Sequence, residues 1–129
     1  MADPFLSAMG IAASSMRAQG TRIRTVAENV ANADSPGYRR KQVTFEEVAN
    51  GDSRRVAIGR VLTDRSPLER VYDPGHPLAD AAGYVTFSNV NPLIELADLQ
   101  EAQRSYEASM AAFEQARALY QRTLDLLRR

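Results

Sequence analysis

The chain has no cysteine, no tryptophan and a single histidine, His76. Without cysteine there is no disulfide framework, no thiolate nucleophile and no Cys-based zinc or iron–sulfur site. A lone histidine excludes a multi-histidine metal centre. No stretch approaches the roughly 18 uninterrupted apolar residues of a membrane span. The opening run MADPFLSAMGIAASSM carries Asp3 and Pro4 and no positive region ahead of an apolar block, so a cleaved secretory leader is not expected. A surplus of one charge sign is also missing, because sixteen Lys+Arg cancel sixteen Asp+Glu. That balance argues against a surface built throughout for nucleic acid or anionic lipid. Catalytic groupings are absent as well. Ser14, Ser15 and Ser35 have no nucleophile-elbow context, the glycines form no phosphate-binding loop, and His76 sits in the stiff turn Pro74-Gly75-His76-Pro77. Glu46 and Glu47 are adjacent, so on a strand they point to opposite faces. No enzyme, cofactor or metal site is expected.

What is present lies mainly at the two ends. The chain has 129 residues, about one domain's worth. Met9, Met16, Ile23 and Val30 recur every seven residues, and Phe5, Ala12 and Val26 form the row three positions on, broken only at Gln19. This predicts a helix over about 5–30, with Asp3 as N-cap and Pro4 in the first turn. Gly10 and Gly20 interrupt it, either as sites of close approach or as weak points. Near the other end, Asn91-Pro92 reads as a second helix start. Leu99, Tyr106, Phe113, Tyr120 and Leu127 follow at sevens, with Leu96, Met110 and Leu124 in the companion row. Helix is expected over about 92–128. Ala102, Ala111, Ala112 and Ala116 widen its apolar face. Such stripes fit a helical hairpin inside a globular domain, but little in the middle of the chain is large enough to cover them. Leu6, Ile11 and Leu119 would be left for neighbours.

The middle reads differently. Val43 and Phe45, then Val56 and Ile58, alternate with polar residues as strands do. VAIGRVL, LERVY and Tyr84–Phe87 are short strand candidates around the turn-rich run 72–83, together a small β-hairpin or arm. Fifteen of the sixteen basic residues are arginine, which suits ion pairs at interfaces. Residues 1–41 carry net +3, residues 42–90 net −2 and residues 91–129 net −1. This fits contacts between copies or two helices that attract each other. The basic cluster Arg39-Arg40-Lys41, with Arg17, Arg22 and Arg24 upstream, suggests an acidic neighbouring subunit rather than nucleic acid, for which the chain has no helix-turn-helix and no stacking sheet. The expected organisation is therefore mainly α. Residues 1–34 and 91–129 form paired, coiled-coil-like helices, and residues 35–90 form a turn and β-rich arm. Ser35-Pro36-Gly37-Tyr38 reads as a type II turn, with Gly37 at positive φ.

The run NVANADSPGYRR at 29–40 resembles the N-terminal signature of the flagellar rod and hook axial protein family. RVYDPGHPLADAAGYVTFSNVNP at 70–92 is similar to the proximal-rod branch of that family more than to its siblings. RSYEASMAAFEQARALYQRTLDLL at 104–127 resembles the C-terminal helix of the same branch. Two departures stand out: Ser109 where the family commonly has asparagine, and a final turn, Leu126-Leu127-Arg128-Arg129, less apolar than usual.

The resemblance implies a structural subunit of the flagellar rod within the periplasm, exported by the flagellar type III apparatus without a cleaved leader. It implies terminal helices paired in an inner domain, an arm reaching between subunits, and assembly with itself, other proximal and distal rod proteins and the hook–basal body protein FliE. No small-molecule substrate follows from it. Pairing and subunit contacts are expected at Met9, Met16, Ile23, Val26 and Val30, and at Leu99, Tyr106, Met110, Phe113, Tyr120, Leu124 and Leu127. The corner and arm take-off are expected at Ser35, Pro36, Gly37, Tyr38, Arg39 and Arg40. Competing readings are a sibling rod protein and, from another class, a soluble helical adaptor.

Overall fold

A computed structural model describes residues 3–51 and 53–129. Helix α1 spans Pro4–Ala31 and helix α2 spans Pro92–Leu127. Both begin by the same device. The Asp3 carboxylate accepts the Phe5 N–H at 2.8 Å, the Asn91 side chain accepts the Leu93 N–H at 3.0 Å, and a proline without an N–H fills the first helical position of each. The end of α1 is capped by Asn32, whose side-chain amide donates to the Glu28 carbonyl at 2.9 Å. The chain then turns at Ser35–Tyr38. Tyr38 N–H closes that turn on the Ser35 carbonyl at 3.2 Å, and Gly37 has φ +78°, the sign a type II turn requires.

The helices pack antiparallel. Asn29 meets Glu95, Arg22 meets Asp98, and Ser15 meets Ser109, so the facing pairs keep a nearly constant register. Extending that register sets Pro4 opposite Tyr120. The last stretch of α2, Gln121–Leu127, therefore continues roughly two turns beyond the start of α1.

Among the described residues, the buried apolar side chains are mostly small: Ala12, Ala18, Val26, Val85, Ala102 and Ala116. Ala8, Ala12 and Ser15 of α1 line one groove with Ala108, Ser109 and Ala112 of α2. The large heptad residues Met9, Met16, Ile23, Leu99, Tyr106, Phe113 and Tyr120 are half-buried. Two helices and a thin ribbon leave one side of each large heptad residue uncovered, whereas alanine and serine let two backbones approach closely.

Strands β1 (Lys41–Asn50) and β2 (Ser53–Thr63) form an antiparallel ribbon, with a bulge between Val43 and Phe45. It lies back along α1. The Val56 N–H donates to Ser14 Oγ at 3.3 Å, and the Arg55 guanidinium sits over Gly10, where an added Cβ would be 3.1 Å from Nη2. Gly10 is thus the site of close approach in α1, while a Cβ at Gly20 would meet only Arg24 Nη1 at 3.7 Å. Strands β3 (Arg70–Tyr72) and β4 (Tyr84–Thr86) form a second antiparallel ribbon. Its turn demands glycine at Gly83, where φ is +86° and a Cβ would lie 2.8 Å from the Tyr72 ring. His76 belongs to this loop, accepting the Leu78 N–H on Nδ1 and meeting the Phe87 ring edge-on.

Candidate assembly site at the corner of the helices

The densest polar chemistry lies where the end of α1, the Pro-Gly corner, the start of β1 and the first turns of α2 converge. Asn29 and Glu95 are both fully buried there, at 0% exposure. A buried carboxamide is costly unless its two acceptor and two donor sites are used. Those of Asn29 are. Its Oδ1 accepts from the Tyr38 hydroxyl at 2.8 Å and the Lys41 N–H at 2.9 Å. Its Nδ2 donates to the Lys41 carbonyl at 2.8 Å and to Glu95 Oε2 at 3.2 Å. The other oxygen of Glu95, Oε1, pairs with Arg40 Nε.

Around this centre the corner is tied down from several sides. The Arg40 N–H donates to Asn89 Oδ1 at 2.6 Å, and Asn89 Nδ2 donates to the Asp64 carbonyl at 3.0 Å. The Gly37 N–H donates to the Thr86 carbonyl at 2.8 Å, which attaches the second ribbon. Arg39 Nη1 donates to the Ser66 carbonyl at 3.1 Å. Lys41 Nζ pairs with Glu28 Oε1 at 2.6 Å, and this hydrogen bond and charge raise the ammonium above its ordinary value. Burial pushes the Tyr38 phenol up, with the Glu28 carboxylate adding to the effect.

The basic cluster was expected to face an acidic neighbouring subunit. Arg40 and Lys41 instead take their carboxylates within the chain, from Glu95 and Glu28. The corner folds back onto the first turn of α2, where Glu95 requires a cation once it is buried. Arg22 likewise pairs with Asp98, while Arg17, Arg24 and Arg39 remain exposed.

The other expected positions fall into two groups. Val26 is buried, and Met9, Met16, Ile23, Leu99, Tyr106, Phe113 and Tyr120 are half-covered. Val30, Met110, Leu124 and Leu127 are exposed, Leu127 by 78%. Ser35, Pro36 and Tyr38 are half-buried at the corner, and Gly37 is open on its outer side. Ser109, the departure noted in the sequence, donates to Ser15 Oγ at 2.9 Å across the seam. Sequence reasoning missed Asn29 and Glu95, which lie outside both heptad rows. The one usable signal was the asparagine that opens the run NVANADSPGYRR at 29–40, given above only as part of the family resemblance. Among the described residues no cluster of three or more His, Asp or Glu side chains could hold a metal, and no helix is long and apolar enough to cross a membrane.

The family model for flagella basal body rod proteins matches residues 9–39, which cover most of α1 and the corner. The model for the C-terminal part of the flagellar basal body rod FlgEFG proteins matches residues 81–126, which cover β4 and α2. Over its whole length the chain is similar to the flagellar basal-body rod protein FlgC of Agrobacterium fabrum, at 45% identity across 98% of this chain and 97% of that one. The chain belongs to the FlgC family. The FlgC proteins of Salmonella typhimurium and Aquifex aeolicus are each 37% identical, over 94% and 97% of this chain and 96% and 98% of their own. The two stretches matched by family models are those that Asn29 and Glu95 join, so the polar centre is where the FlgC N- and C-terminal regions meet.

Proposed function

We propose that this chain is a structural subunit of the proximal rod of the bacterial flagellar basal body, assembling helically into the shaft that carries motor torque to the hook. The whole-length likeness to FlgC proteins carries the reading. A second observation supports it: the apolar surface that the fold leaves uncovered. Leu6 and Ile11 on α1, and Leu93, Ile94, Leu126 and Leu127 at the two ends of α2, are exposed, and such a surface favours association. The paired helices of 1–34 and 91–129 would form the inner part of the subunit and 35–90 the arm, with the exposed heptad residues meeting neighbouring subunits.

The subunit acts by shape and contact, without catalysis, cofactor, nucleic acid or small-molecule substrate. It resides in the rod within the periplasm and reaches it through the flagellar type III apparatus. Its neighbours are further copies, other proximal and distal rod proteins and the hook–basal body protein FliE. Deleting the gene should abolish swimming, and the tagged chain should restore it and be found in purified basal bodies. A tagged chain that restores swimming yet is absent from basal bodies would overturn the reading.

A further inference from the structure

The Lys41 N–H and carbonyl, at the first position of β1, both bond the Asn29 side chain, at 2.9 and 2.8 Å. Both groups therefore point away from β2, along the outer edge of the ribbon. A neighbouring strand would present one acceptor and one donor to such a residue, and the Asn29 carboxamide presents the same pair. It takes the place of a third strand for one residue. A single planar group that bonds both sides of a peptide fixes where the strand starts and the direction in which it leaves. The turn at Ser35–Tyr38 alone does not do so, because its closing bond, Tyr38 N–H to the Ser35 carbonyl, lies within the turn and the Gly37 N–H goes to Thr86 on β4 rather than to β1.

Glu95 adds a condition. It stands on α2 and touches the chain on both sides of the corner, through Asn29 before it and Arg40 after it. Without α2 in place, those two residues lose the carboxylate they share, and Asn29 keeps a donor with no acceptor. In a buried site that is a high-stakes arrangement, favourable only when every member is satisfied.

We propose that Asn29 is the positioning residue of the arm, and that Glu95 makes the direction of the arm conditional on pairing of the terminal helices. The proposal rests on the rod-subunit reading, since an arm needs aim only where a neighbour must receive it. A subunit whose helices are unpaired then presents no correctly directed arm, so arm contacts form after helix pairing.

The absence of cysteine makes the test clean, because two engineered thiols can carry spin labels on the full chain without background. Labels at Arg24→Cys and Glu47→Cys read the ribbon against α1, and labels at Arg24→Cys and Gln103→Cys read α1 against α2. All three positions are exposed. Asn29→Asp is nearly the same size, yet it loses both N–H donors and sets a second carboxylate beside Glu95. The first distance should lose its single narrow distribution while the second stays sharp. Adding Glu95→Gln removes the repulsion between the two carboxylates but gives the Lys41 carbonyl no donor, so the double variant should keep the broad ribbon distance. A residue that only filled space would show no loss, and one that acted only through charge would be rescued. An unchanged ribbon distance in Asn29→Asp, equal broadening of both pairs, or full rescue by Glu95→Gln would each overturn the proposal. Recovery from basal bodies is scored separately. Wild-type chain absent from them overturns the rod reading, whereas the distances on purified protein judge the aim of the arm.

Discussion

Arg22 on α1 bonds Asp98 on α2 across the seam, with only 16% and 25% of the two side chains exposed. The pair lies about two helical turns from Asn29 and shares no hydrogen bond with the corner network. A second carboxylate, Glu101, stands at 3.4 Å but is largely exposed. Removing one partner leaves the other partly desolvated and unpaired, which costs more than removing both. Arg22→Ala and Asp98→Ala should each destabilise the chain by about 1–3 kcal/mol, and the double variant by less than their sum. Urea denaturation of the four-member cycle measures the coupling, and strict additivity would show that the contact contributes nothing.

The heptad residues of α2 provide a second test. Phe113 and Tyr120 are half-buried in the helix pair. Replacing both with Asp should cost several kcal/mol, roughly 2–4, by placing carboxylates in a largely apolar seam. Circular dichroism should show reduced helix content, and the strain carrying the variant should not swim. Unimpaired swimming would show that these side chains are not part of the working seam.

Gly37 holds φ +78°, a region that β-branched residues enter only with strain. No atom lies within 4 Å of an added Cβ, so the effect of substitution is one of backbone conformation rather than of crowding. Gly37→Val should therefore be markedly worse than Gly37→Asn, which tolerates the left-handed region. Helix content should be preserved in both. Electron microscopy of basal bodies, with export checked by periplasmic fractionation, should show rods failing only in Gly37→Val. Equal assembly of the two variants would assign the corner no more than the role of a loop.

The β3–β4 loop should respond to acid. The Tyr84 N–H, helped by the Ala82 N–H and by Arg70, holds the Asp80 carboxyl below its ordinary range. A lowered folded-state value means that the stabilisation is fully present above the ordinary carboxylate pKa. It is lost as pH falls through the lowered value. The protection of the Tyr84 and Ala82 amides, relative to their intrinsic exchange at each pH, should fall over that acid window in the wild type. In Asp80→Asn the acid step should be absent.

The two helices were legible because their start signals are local. An N-cap and a proline sit side by side at Asp3-Pro4 and at Asn91-Pro92, and α1 and α2 begin at those prolines. The positive-φ corner at Gly37 was legible for the same reason. Strand positions were read from alternation, but the bulge between Val43 and Phe45 breaks that period. It hid the full reach of β1 and β2, which span Lys41–Asn50 and Ser53–Thr63. The polar centre was not legible. Periodicity assigns a polar residue between heptad rows to solvent, and Asn29 has its partner Glu95 sixty-six positions away. The heptads also overstated the large side chains, since how closely two helices approach depends on the alanines and serines between them.

The unequal length of the two helices has a mechanical consequence. A blunt-ended pair, stacked on another, would place every break in a single plane, and that plane would be the first to give way in bending. Because Gln121–Leu127 carries α2 beyond the start of α1, the two helix ends are stepped. Anything fitted against a stepped end overlaps it as in a carpenter's scarf joint, with the break in one layer bridged by the other. In a shaft made of such pieces, load crosses each joint along the side of a helix as well as through its tip. Shortening α2 to match α1 would leave the pair itself intact and remove the overlap.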